Sequence, residues 1–270
     1  LQIASGLPLS PLQENMTALI FLICAVVITV VSADPPAYSF NEATGRGPSK
    51  WGQLDPSWSA CGSGHMQSPI DINFHDAKID RSLPRLRTQY HAAPLNASKE
   101  AHGIKFKYHE NGGYFVVDNL EYQLLQFHWH WHAEHLLNGS RGDLELHLVH
   151  KGPTHLAVVA IIYKIGHSDP LLAKLLPKIH DMREEWRDVG TVDIGKIDHQ
   201  FLKFSTRRYF RYIGSLTTPP CTEGVVWTIL RRTRTVSKKQ LEVLKSFDKE
   251  HFAWNSRPTQ PLYGRTVLAH

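Results

Sequence analysis

Residues 126–130 read Gln-Phe-His-Trp-His, and residues 144–150 read Leu-Glu-Leu-His-Leu-Val-His. In an extended strand alternate side chains share a face, so His128 and His130 project together, about 7 Å apart at roughly 3.3 Å of rise per residue. The second run alternates in the same way. It sets Glu145, His147 and Val149 on one face and Leu146 and Leu148 on the other, so a neighbouring strand can bring His147 to the same point. Three imidazole nitrogens leave a tetrahedral zinc with one open position, where water binds and reacts; a closed structural site takes a fourth protein ligand. A His-x-His pair by itself also fits an alternating strand with solvent-facing histidines, and the chain has 17 histidines. The polar neighbours favour the metal. Gln126 lies two residues before His128 and Glu145 two before His147, where a side-chain oxygen can take the second ring N–H and fix the tautomer.

The elements that must position these groups are mostly strands. Strand-like runs occupy 104–108, 114–117, 123–131, 143–150, 156–163, 209–213 and 225–230, joined by turn chemistry such as Glu-Asn-Gly-Gly at 110–113. Adjacent antiparallel pairing is the simplest topology. Residues 170–186 carry the apolar spacing of an amphipathic helix, broken or kinked at Pro177, and Ser237 to Gln240 is a capping box opening a short helix through Phe247. Residues 38–69, rich in Gly, Pro, Ser and Trp, suggest an irregular wrap. The expected fold is a mixed, β-dominated (α+β) single domain: a large twisted, mainly antiparallel sheet with short peripheral helices.

The apolar run at 18–31 is short for a membrane span. With Met16 before it and Val31-Ser32-Ala33 after it, residues 16–33 read as a secretory signal peptide, although no Lys or Arg precedes Ser32. Residues 1–15 then read as translated upstream sequence and 34–270 as one mature domain, large enough for a substantial core. The formal net charge is +5, and 1–33 contributes only Glu14 to it. The excess is spread along the chain, which argues against a nucleic-acid partner. Cys24 leaves with the signal, so Cys61 and Cys221 form an even pair in an oxidising compartment and are expected to be bonded. Asn96 and Asn138 head Asn-x-Ser sequons. The chain ends Leu268-Ala269-His270 with no apolar tail, so neither a membrane span nor a lipid-anchor signal is visible in the mature part.

From Gln67-Ser68-Pro69-Ile70-Asp71-Ile72, through the two histidine runs and Glu134-His135, to Gly214-Ser215-Leu216-Thr217-Thr218-Pro219-Pro220-Cys221 and Asn255-Ser256-Arg257-Pro258, the chain resembles an α-class carbonic anhydrase of the secreted animal type. The resemblance implies zinc on His128, His130 and His147, with Gln126 and Glu145 orienting the first and third rings and the backbone carbonyl of Asn255 receiving the N–H of the second. It implies a zinc hydroxide that attacks carbon dioxide to give bicarbonate and a proton. Thr217 is implied to accept from that hydroxide, to donate to Glu134, and to serve bicarbonate through its backbone N–H. Val149, Val158, Leu216, Val225 and Trp227 match the apolar wall of the substrate pocket, with Leu125 at its rim and Thr218 beside Thr217.

His102 falls at the position of the family's proton shuttle, and an imidazole loads and unloads near neutral pH. Around it the match is looser. Glu100-Ala101 precedes the histidine instead of Asn-Gly, Lys105 stands where many members carry Asn or Gln, and Gln53 follows Trp51-Gly52 where a tyrosine is common. The resemblance further implies ester hydrolysis as a side activity and inhibition by small anions and sulfonamides. Relatives without activity typically lose a zinc ligand, and this chain keeps all three. Secretion and positive charge together suggest retention in an extracellular matrix.

Overall fold

In the computed structural model the described residues are 38–270, excepting 101, 182–189, 205–206 and 248–253. The segments read as upstream sequence and signal peptide lie outside the described residues, as does the end of the helix expected at 170–186. Ala37–His270 forms one compact unit.

Sixteen strands are present among the described residues. The first nine are β1 (Asp71–Ile72), β2 (Lys78–Ile79), β3 (Arg87–Tyr90), β4 (Ala93–Glu100), β5 (Gly103–Tyr108), β6 (Gly113–Val117), β7 (Leu120–His130), β8 (Leu136–Leu137) and β9 (Ser140–Arg141). The rest are β10 (Leu144–Lys151), β11 (Leu156–Ile165), β12 (Thr191–Ile197), β13 (Tyr209–Ser215), β14 (Glu223–Leu230), β15 (Arg234–Val236) and β16 (Leu268–Ala269). The main sheet runs β12-β4-β5-β7-β10-β11-β14-β13-β16-β2. Each run expected from alternation is a strand here, with bounds shifted by a few residues. The sheet departs from simple neighbour pairing at β11, which pairs antiparallel with β10 but parallel with β14 and β15.

Alternation along β7 and β10 divides the core between the two faces of the sheet. Phe127, Trp129, Leu146 and Leu148 point to the larger apolar cluster, which includes Phe106, Leu171, Leu175, Ile179 and Leu244. Val149, Val158, Ala160, Ile162 and Trp227 form a second cluster. Helix Pro170–Asp181 buries Leu171, Leu172, Leu175, Leu176 and Ile179, one stripe at helical spacing. Pro177 lies within that helix, which continues past it to Asp181. Helix Lys238–Lys245 opens on the capping box expected at Ser237 and Gln240, both halves of which are formed.

The N-terminal wrap is a series of short helical turns between Glu42 and Ser63. Three groups fasten it. The Trp51 indole donates to the carbonyls of Ser39 and Arg46. Cys61 and Cys221 form a disulfide, Cα atoms 5.0 Å apart, as expected. Buried Arg257 donates to the Cys61 and Ser68 carbonyls and to Gln67 Oε1. Burial pushes its guanidinium down to about 10.

Candidate metal centre

In the β7–β10 pairing His147 lies directly opposite His128, and Glu145 opposite His130. This register puts all three imidazoles on one face, one nitrogen of each within 4.8 Å of the others. Their outer nitrogens are tied. His128 Nδ1 donates to Gln126 Oε1 at 2.8 Å, His130 Nδ1 to the Asn255 carbonyl at 2.7 Å, and His147 Nε2 to Glu145 Oε1 at 2.7 Å. Each tie fixes the proton on the outer nitrogen, so His128 Nε2, His130 Nε2 and His147 Nδ1 turn lone pairs inward. Burial, then the neighbouring rings and Lys105, hold His128 well below the ordinary histidine range, and burial lowers His130. Both are therefore neutral at pH 7, the state a metal ligand requires.

Two buried atoms here have no hydrogen-bond partner among the described residues: His130 Nε2 and Glu134 Oε2. They face each other at 3.6 Å, and Glu134 Oε2 is 4.0 Å from His147 Nε2. Unsatisfied polar atoms are costly in a protein interior. A divalent cation held by the three imidazoles satisfies the nitrogen and lies beside the carboxylate, so the donor set fits zinc. The sequence reading differs in one contact. Glu134 Oε1 accepts from the Arg257 backbone N–H at 2.8 Å, and with Oε2 unpartnered the expected Thr217 to Glu134 hydrogen bond is not made.

Glu145 is more deeply engaged than its spacing suggested. Its Oε1 also accepts from His135 Nδ1 at 2.7 Å and its Oε2 from the His135 backbone N–H at 2.8 Å; His135 Nε2 pairs with the Tyr212 hydroxyl, which meets Ser68 Oγ. Burial alone raises the Glu145 carboxyl, but its contacts to His135 and His147 outweigh this and hold it well below the carboxylate range. An ionised, three-point carboxylate is a firm seat for His147. Asn255 likewise does more than offer its carbonyl. Its Oδ1 accepts from the Trp131 N–H and its Nδ2 donates to the His102 carbonyl, tying the β4–β5 turn to the end of β7. The Glu134-His135 pair was the available signal for the first network; nothing in the sequence marked the second.

A cavity of about 260 Å³ opens over the histidines, with Val149, Val158, Leu216, Trp227, Thr217 and Thr218 in its wall. Two expected lining residues are not in the wall: Val225 is buried in the second apolar cluster, and Leu125 is half-buried at the β7 bulge, where the register with β10 skips from Leu124 to Gln126. Gln53 is exposed and away from the cavity, whereas Tyr38 and Phe40 line it. The Trp51-Gly52 pair belongs to the buried wrap and so did not locate the cavity tyrosine. The Tyr38 hydroxyl, bonded to the Thr218 side chain, is pushed up to about 12 by burial.

His102 also lines the cavity, but it is 8% exposed rather than a solvated loop residue. Its Nε2 donates to the Tyr38 carbonyl at 3.0 Å and its ring packs on Tyr38 and Phe40. The disulfide joins the wrap to the Thr217–Cys221 turn, in which the Cys221 N–H donates to the Thr218 carbonyl. Of the sequons, Asn138 sits exposed in the β8–β9 turn, while Asn96 is half-buried inside β4, paired with strands on both sides.

Residues 46–270 match the family model for eukaryotic-type carbonic anhydrase. Alpha carbonic anhydrase 7 of Arabidopsis thaliana is 37% identical over 269 residues, covering 94% of this chain and 96% of that protein. Among solved structures, dioscorin complexed with ascorbate superposes with a TM-score of 0.83 at 35% identity, covering 87% of this chain and 98% of that one. The α-carbonic anhydrase of Thermovibrio ammonificans, in complex with the inhibitor sulfanilamide, gives 0.75 at 33%, covering 86% and 98%. The chain therefore belongs to the eukaryotic-type carbonic anhydrase family. The Arabidopsis relative is a plant protein, so the animal subtype expected from the motifs is not carried by these likenesses.

Proposed function

We propose that this protein is a zinc enzyme that reversibly hydrates carbon dioxide to bicarbonate and a proton. The observation that carries the reading is the set of three imidazoles, each with its outer nitrogen tied and its inner nitrogen turned to one point. His128, His130 and His147 would hold the zinc, which would supply Lewis acidity that makes a water acidic near neutral pH.

The remaining work falls to the chain. Gln126, Glu145 and the Asn255 carbonyl hold protons at the outer ring nitrogens and so keep the three rings aimed. Val149, Val158, Leu216 and Trp227 offer an apolar wall to an uncharged linear substrate. Thr217, which lines the cavity, offers its backbone N–H to an oxygen of bicarbonate, and the Glu134 carboxylate lies beside the His130 ring. His102 takes the released proton outward, its ring steadied by the Tyr38 carbonyl. Ester hydrolysis follows from the same chemistry, and small anions and sulfonamides compete for the open position. The sulfanilamide complex of the Thermovibrio enzyme supports the last point.

Residues 16–33 direct secretion, which the Cys61–Cys221 disulfide supports because such bonds persist in oxidising compartments. No described helix is long and apolar enough to cross a membrane. Matrix retention through the positive charge is the further partner reading. A binding role without catalysis draws support from the likeness to dioscorin complexed with ascorbate. Against it stands the intact histidine triad. Stopped-flow hydration of carbon dioxide decides between them. The wild-type protein turns over and His147→Ala does not; equal rates in the two overturn the zinc reading.

A further inference from the structure

The cavity has one feature that carbon dioxide hydration does not use. Of the described residues in its wall, only Glu100 and Lys105 carry fixed charge. They flank the β4–β5 turn. Lys105 lies in register with His128 on the adjacent strand, and its Nζ meets Glu100 Oε1 at 3.1 Å. Ser98 Oγ donates to the same carboxylate oxygen at 3.0 Å. Both charged side chains are partly exposed, 37% for Lys105 and 47% for Glu100, so the pair stands at the mouth and exchanges with solvent. Carbon dioxide is neutral, and singly charged bicarbonate has no second anionic end for an ammonium at the mouth.

We propose that Lys105 makes this centre selective for ligands with two anionic ends: a head directed at the metal and a carboxylate or similar anionic tail that the ammonium receives. Glu100 is the built-in competitor, because the tail must take its place on Lys105 Nζ. The ammonium is held toward solvent by Glu100 at the end of β4, so a ligand seated on the metal meets it with its outer end. The pair is partly solvated, so the preference it confers is a few-fold.

This inference rests on the zinc reading, and two probes separate their failures. Benzenesulfonamide and 4-carboxybenzenesulfonamide share the metal-directed head and differ in the tail. Their affinities are measured by calorimetry on the zinc-loaded full chain at low salt, and the ratio of neutral-probe to acidic-probe Kd is compared across variants. Lys105→Gln is expected to lower that ratio about threefold and Glu100→Gln to raise it by a similar factor, with both changes shrinking at high salt as surface charges are screened. A ratio unmoved by Lys105→Gln, or moved in the same direction by both substitutions, overturns the proposal. Failure of benzenesulfonamide to bind the wild-type protein overturns the zinc centre itself, and the proposal with it; binding of benzenesulfonamide without binding of 4-carboxybenzenesulfonamide overturns the proposal alone.

Discussion

The motif that supplies His147 also supplies His150, three residues on, and the fold gives the second histidine the opposite environment. After a register shift between Val149 and His150, the His150 ring is fully buried against Tyr90 and Phe115. Its Nδ1 donates to the Ala157 carbonyl at 3.2 Å and its Nε2 accepts from the Tyr90 hydroxyl at 2.8 Å. The neutral ring is satisfied at both ends; a protonated ring loses the Tyr90 bond and gains an uncompensated buried charge. Burial accordingly pushes the imidazole down from 6.5 to about 3. Because the folded value is depressed, the unfolded chain binds the extra proton first, so stability is full above about pH 6.5 and falls as pH drops toward 3. From pH 7 to pH 5 the loss from this residue is about 2 kcal/mol, at 1.36 kcal/mol per pH unit once well below 6.5. Urea unfolding of zinc-loaded wild type and His150→Gln at both pH values isolates it, since other groups titrate alike in the two proteins. The wild type should lose about 2 kcal/mol more than the variant. Equal losses would refute the reasoning.

Three further outcomes follow from the site and its supports. Glu145→Gln removes the anion that seats His147 and His135, so zinc affinity in competition with a chelator should fall about 10–100-fold; an unchanged affinity contradicts the orienting role. Replacing Cys61 and Cys221 together by Ala opens a loop of 160 residues, and stability by urea should fall by as much as about 4–5 kcal/mol in the chain-entropy model, against no change if the bond is incidental. In a glycosylating host, Asn138→Gln should remove a mass step and Asn96→Gln should not, and the reverse pattern contradicts the accessibility argument.

Much of the centre was legible because strands and metal ligands share one period. His128, His130, Gln126, His147 and Glu145 alternate, and alternation alone assigns them to one face. The strands legible in the sequence, such as β5, β7, β10 and β11, are the ones with aromatic, β-branched or alternating apolar residues. β4 and β12 went unread because Pro94, Asn96, Asp193 and Gly195 lack that signature and owe their conformation to pairing with each other. The parallel contact of β11 with β14 joins segments more than sixty residues apart, which no local pattern specifies. Tyr38, His135 and the side chain of Asn255 reach the site by tertiary packing, and the burial of His102 depends on a wrap whose course the sequence left irregular. Those are the positions where spacing carries no information about distance.

The account turns on three imidazoles and one open position at a zinc ion. X-ray absorption at the zinc edge of the purified protein tests this most directly. The prediction is three nitrogen scatterers with imidazole signatures at about 2.0–2.1 Å and one further light atom from solvent. A closed shell of four protein ligands, a sulfur scatterer, or fewer than three imidazoles contradicts it.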